Sequence, residues 1–119
     1  MIEKIAYIWY PTTDMDRAVE FYQDLLGLKL LFKEADWSEF LVSGQRLALC
    51  KVDEIVPRKS SPGAGVSFTA QPIEQTIDAL FQKGVTFLEG VKVYPYGKLA
   101  YFHDPDGNVL GLYEPPPRK

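Results

Sequence analysis

Residues 12–27 read TTDMDRAVEFYQDLLG, and residues 69–84 read TAQPIEQTIDALFQKG. Both stretches run from a Thr to a Gly over the same length. In the first, Met15, Ala18, Val19, Tyr22, Leu25 and Leu26 recur at helical spacing on one face, and in the second Ile73, Ile77, Leu80 and Phe81 do so. A shift of 58 residues places Met15 on Ile73, Val19 on Ile77 and Tyr22 on Leu80. Thr13 and Asp16 have capping-box spacing, with Asp in place of Glu or Gln. Pro72 suits a first helical position, where no N–H is needed. Gly27 and Gly84 suit the left-handed residue that closes a helix. The chain therefore carries one unit twice.

Around each helix the pattern changes to that of strands. Residues 4–10 (Lys-Ile-Ala-Tyr-Ile-Trp-Tyr) and 64–70 (Ala-Gly-Val-Ser-Phe-Thr-Ala) are apolar strand-like runs ahead of the helices. After the first helix, period-two runs at Leu28–Glu34, Trp37–Val42 and Arg46–Val52 predict three strands; Phe87–Tyr94, Leu99–His103 and Val109–Tyr113 are their counterparts. The expected fold is α+β: two βαβββ modules, residues 1–53 and 63–115, joined by a Pro/Ser linker at 54–62 and followed by a tail at 116–119. One helix covers one face of each four-stranded sheet. The other face also carries apolar and aromatic residues and must be covered. The economical solution packs the two sheets around a shared cleft, within one chain or across a dimer.

Composition narrows the function classes. The 119 residues suit a single domain, and 46% hydrophobic with 24% charged residues is ordinary for a globular protein. A net charge of −3 gives no electrostatic reason to bind a nucleic acid or an anionic membrane. No signal peptide or spanning segment is visible, so a cytoplasmic location is expected. Cys50 is the only cysteine, which excludes an intrachain disulfide and a cysteine zinc cluster.

Asp104-Pro105-Asp106-Gly107-Asn108 reads as a tight turn: the two Asp side chains can accept from nearby backbone N–H groups, and Gly107 tolerates a positive φ. Asp104 and Asp106 are thus turn-formers rather than catalytic carboxylates. Together with Asp14-Met15-Asp16 through Phe21-Tyr22-x-x-Leu25-Leu26-Gly27-Leu28, the run Phe102-x-Asp104-Pro105-Asp106-Gly107-Asn108 resembles the vicinal oxygen chelate superfamily. That superfamily includes glyoxalase I, bleomycin-resistance proteins and extradiol dioxygenases. The resemblance spans residues 4–115 and implies an open eight-stranded, cleft-bearing half-barrel, a homodimer and a small-molecule partner.

The resemblance also implies four metal-ligand positions, commonly a His in the first strand and a Glu in the last strand of each half. Here they fall on Tyr7, Gly65, Ala48 and Gly111, and a two-residue slip in the first half gives Cys50 in place of Ala48. No metal and no other cofactor is expected from such a set. His103, the only histidine, lies at a strand end beside the turn. By strand parity Ile5, Tyr7 and Trp9 share the cleft face with Ala48, Cys50, Gly65, Gly111 and Tyr113. These eight residues are the candidate ligand-binding set, small residues leaving room beside flat aromatic surfaces. Tyr94, Tyr96, Tyr101 and Trp37 are candidates for the rim.

The leading expectation is a metal-free protein that binds an amphipathic or aromatic organic molecule. One alternative is a lyase, isomerase or dioxygenase-like enzyme using a cleft Tyr, or a metal held by residues such as Glu89, Glu114 or His103. A second is a non-catalytic accessory or regulatory domain.

Overall fold

A computed structural model describes residues 1–55 and 65–117. Most of the linker, the first two residues of the second module (63 and 64) and the last two of the tail lie outside the described residues. The first module contains β1 (Ile8–Thr12), α1 (Met15–Glu20), a π-helical turn (Phe21–Leu25), β2 (Lys29–Lys33), β3 (Trp37–Val42) and β4 (Gln45–Lys51). The second contains β5 (Val66–Thr69), α2 (Ile73–Gln82), β6 (Lys92–Tyr94), β7 (Gly97–His103) and β8 (Val109–Glu114). Each module forms its own four-stranded sheet, in the order β1-β4-β3-β2 and β5-β8-β7-β6. In each the first strand runs parallel to the last, while the other neighbours are antiparallel. This is the expected α+β duplication, and the modules are two compact units.

The registers confirm the repeat residue by residue. Trp9 pairs with Ala48 as Ser67 pairs with Gly111, and Glu39 faces Ala48 as Tyr101 faces Gly111. The helices repeat with one slip. Met15, Val19 and Tyr22 lie 58 residues before their counterparts, but Gly27 lies only 57 before Gly84. The additional residue of the first module is absorbed in the π-helical turn, where Leu26 N–H donates to the Phe21 carbonyl at 3.0 Å. A one-residue insertion in a helix takes this form. The chain is back in phase at Leu28, whose N–H reaches the Tyr22 carbonyl as that of Val85 reaches Leu80.

Both helix starts differ from expectation. Asp14, not Thr13, caps α1: its backbone is extended and its carboxylate accepts from Arg17 N–H at 3.1 Å. The buried Thr12 hydroxyl accepts from Asp14 N–H at 3.1 Å and fixes that approach. Pro72 is the cap residue of α2 rather than its first residue. It has no polar side chain, and the Glu114 carboxylate at the end of β8 accepts from Ile73 N–H at 2.8 Å instead. An orphan donor of the helix terminus is thus satisfied from across the module.

Two strands fall well short of their apolar runs. β1 begins at Ile8, where pairing with Leu47 starts, so Lys4–Tyr7 precede it. The run Phe87–Tyr94 is interrupted: Phe87 makes an isolated bridge to Phe102, and regular pairing resumes only at Lys92 opposite Leu99. The chain advances five residues on one side against three on the other, a bulge with two extra residues at Leu88–Val91. An isolated Gly within a strand pattern, here Gly90, is the local signal of such a departure.

Each core lies between helix and sheet. Tyr22 is fully buried with its ring 5.7 Å from that of Phe40, and Ser38, Leu47 and Leu49 are buried on the same face. In the second module Ile73 and Leu80 of α2 are buried, as are Ala100, Phe102, Leu110 and Leu112. Among the described residues no helix is long and apolar enough to cross a membrane.

Candidate functional site

Alternation along the strands sends the remaining side chains to the helix-free faces. In the second module this face carries Ser67, Leu99, Tyr101, His103, Val109 and Tyr113, with Gly111 at its centre. A β-carbon built on Gly111 would lie 2.5 Å from Ser67 Oγ and 3.1 Å from two ring carbons of Tyr101. The volume surrendered by the missing side chain at Gly111 is therefore filled by its neighbours. The sequence reading expected open room at this point, and the opening lies beside it instead.

That opening is a cavity of about 490 Å³ lined by residues 65–67, 88–90, 92, 99, 101, 109 and 110. The size falls in the range of small-molecule sites, which run from roughly 300 to 1,000 Å³. The bulge builds one wall with Leu88, Glu89 and Gly90, Ser67 and Tyr101 lie against the floor at Gly111, and Leu99 and Val109 add apolar surface. Lys92 Nζ lies 2.6 Å from Glu89 Oε2 across the bulge. The hydrogen bond to Glu89 and its charge, with smaller contributions from Tyr94 and Tyr101, hold the Lys92 ammonium above the usual lysine range. The cavity is lined by a permanent cation at neutral pH.

The helix-free face of the first module is built differently. Glu39, only 8% exposed, accepts from Trp37 Nε1 at 2.7 Å and from Arg46 at 3.2 Å. The Trp37 ring meets Tyr7 edge-on, with centroids 5.1 Å apart. Trp9 and Tyr7 are about half exposed, and Ile5 more so. Ala48, paired with both Trp9 and Glu39, is fully buried, while Cys50 is half-buried opposite Trp37.

Of the predicted set, Ile5, Tyr7, Trp9, Ala48 and Cys50 belong to the first module and Gly65, Gly111 and Tyr113 to the second. Gly65 lines the cavity. Tyr113 is a brace: its hydroxyl donates to the Tyr96 carbonyl at 2.8 Å, and its ring lies where a β-carbon at Gly97 would fall. Tyr96 stacks on Tyr94 with parallel rings 5.0 Å apart. Asp104 is the turn-former expected, its carboxylate accepting from the backbone N–H of Asp106 and Asn108 and from the Asn108 amide, each at 2.9 Å.

Sequence reasoning placed Val109 on the cleft side with Gly111 but did not single out Glu39 and Arg46 in the first module, or Ser67, Lys92 and Leu99 in the second. Parity from Gly65 points to Ser67, and parity from Trp37 points to Glu39. The Lys92 position depends on the two-residue bulge, which Gly90 signals but does not size.

The sequence profile of the Glyoxalase/Bleomycin resistance protein/Dioxygenase superfamily matches residues 4–112. The chain belongs to that superfamily. A metallothiol transferase, FosB of Lysinibacillus sphaericus (strain C3-41), is 29% identical over 117 residues, covering 94% of this chain and 82% of the relative. TnmS3, an antibiotic binding protein from Streptomyces sp. CB03234, has a crystal structure that superposes with a TM-score of 0.75 at 28% identity, covering 97% of this chain and 98% of that one. The fosfomycin resistance protein FosX from Listeria monocytogenes shares the fold with a TM-score of 0.80 at 18% identity, covering 98% and 96% of the two chains.

The four positions to which the family resemblance assigns metal ligands offer no donor set for a divalent ion. Tyr7 offers a phenol, Ala48 a methyl group, and Gly65 and Gly111 no side chain at all. At Gly111 the space for a donor is already taken by Ser67. Among the described residues, no group of three or more His, Cys, Asp or Glu side chains is arranged to hold a metal. Catalytic zinc sites use three protein ligands.

Proposed function

We propose that this protein is a metal-free, small-molecule-binding member of the glyoxalase superfamily, taking up a flat or amphipathic organic molecule at the helix-free face of its second module. The observation that carries the reading is Gly111: the family position of a ligating carboxylate holds no side chain, and Ser67 and Tyr101 fill its place beside a cavity of about 490 Å³. The antibiotic binding role in the name of TnmS3 supports binding without chemistry within this fold. The transferase names of the FosB relatives mark the departure, since the metal positions of this chain lack the donors. A homodimer in the cytoplasm is part of the proposal, in keeping with a small chain of this superfamily and with sheets that end in edge strands.

The test is a thermal-shift screen of planar amphipathic compounds, run with and without EDTA. A ligand at 100 times its Kd adds about 2.7 kcal/mol to folding stability. The expected result is a saturable rise in Tm that EDTA leaves unchanged. A rise abolished by EDTA favours the metal-dependent enzyme, and no rise with any compound favours the accessory domain.

A further inference from the structure

The polar lining of the second-module cavity is weighted towards donors. Lys92 brings an ammonium with three N–H groups, while Ser67 and Tyr101 bring hydroxyls that donate as well as accept. Glu89 is the only obligate acceptor among the lining side chains, and it is turned to solvent, its side chain 64% exposed. The Lys92–Glu89 contact uses one of the three ammonium N–H groups. Lys92 is also 53% exposed, so the pair contributes little to the fold and its partner is exchangeable. The apolar lining, Leu88, Leu99 and Val109, belongs to the bulge and to the strands it faces. A cavity with an ammonium at one edge and an apolar wall beside it fits a planar body that ends in a negative charge.

We propose that the cavity selects planar organic acids, the Lys92 ammonium with the Tyr101 hydroxyl receiving the anionic group while Leu88, Leu99 and Val109 cover the apolar body. This rests on the reading of the protein as a metal-free binder and adds the charge of its ligand. The two-residue bulge places Lys92 in the lining, so the selectivity belongs to the second module. In the first module the equivalent strand pair has a bulge of only one residue, between Leu30 and Phe32.

Two dyes with the same ring system separate the two ideas: 8-anilinonaphthalene-1-sulfonate, which carries a sulfonate, and N-phenyl-1-naphthylamine, which does not. Fluorescence titration of each is made on the full chain and on K92Q, K92R, E89Q and L99W, with EDTA present. The expected result is sulfonate-dye binding that K92Q weakens by about tenfold and K92R restores, because a hydrogen bond to a charged group is lost. E89Q, which frees the ammonium, tightens it; the neutral dye is unmoved by K92Q; and L99W, which fills the cavity, displaces both. If K92Q leaves the sulfonate dye unchanged, or weakens both dyes alike, the charge assignment is overturned while the binding reading stands. If neither dye binds, or L99W displaces neither, both fall.

Discussion

The Ser67 hydroxyl sits where a side chain at Gly111 would begin, 2.5 Å from the position of its β-carbon. The two residues are register partners on parallel strands, so the contact is set by the sheet rather than by a loop. Gly111 therefore leaves no hole: Ser67 and Tyr101 occupy the space a side chain there would need, and the cavity opens beside them.

Gly111→Ala is expected to destabilise the protein by about 1–3 kcal/mol, the usual penalty of overpacking a filled site. Ser67→Gly in the same chain recovers a large part of that loss, because the clash is pairwise. Urea unfolding of the two single variants and the double variant measures the coupling. Additive effects contradict the account.

Glu114 closes the second module by accepting from Ile73 N–H at the start of α2. Glu114→Ala is expected to cost about 1 kcal/mol, the usual value of a lost helix cap. Amide exchange separates this from a general loosening: protection falls in the first turn of α2 and holds in β7. Equal loss throughout the module counts against a capping role.

Lys98 reaches Glu74 at 3.0 Å, and its hydrogen bond holds the Glu74 carboxyl below the usual carboxylate range. The same pair raises Lys98. A carboxyl lowered on folding stabilises above its unfolded pKa, near 4.5, and that contribution fades as pH falls through the lower folded value. Lys98→Met is therefore expected to lower Tm slightly at pH 7 and to have less effect at pH 3. Both groups are solvent-exposed, so the difference is small and shrinks in high salt. Tm measured at the two pH values with and without salt checks the sign.

Glu39 holds two donors on the helix-free face of the first module. Glu39→Ala leaves Trp37 Nε1 and the Arg46 guanidinium without it, at a cost of about 1–3 kcal/mol, while Glu39→Gln keeps an acceptor and costs less. The Trp37 indole is also expected to report the change as a shift in emission, visible in a Trp9→Phe background. Equal stability of the Ala and Gln variants contradicts a hydrogen-bonding role.

The fold was legible because duplication doubles every signal: each first strand, helix and closing glycine confirms its counterpart 57 or 58 residues away, and the later strands theirs at 62 or 63. The turn at Asp104 was readable because its chemistry is local to five residues. Helix caps were less so, since the donor at Ile73 is met by Glu114, 41 residues distant. The site was half legible. Parity assigned Gly65, Gly111, Ala48 and Trp9 to their faces, because parity is a property of one strand. The filling of Gly111, the Trp37–Glu39–Arg46 cluster and the placing of Lys92 depend on which residue lies opposite which across strands, and on the length of a bulge. Neither can be counted from one strand alone.

Elemental analysis of the purified protein, expressed with nickel, zinc, iron and manganese supplied and washed free of loosely bound ions, tests the central claim most directly. With Tyr7, Ala48, Gly65 and Gly111 at the positions the resemblance assigns to ligands, the protein is expected to retain far less than one divalent ion per chain, and Tyr7→Phe leaves that value unchanged. About one ion per chain, lost when Tyr7 or Cys50 is replaced, contradicts the account and returns the protein to the metal-dependent enzymes of its superfamily.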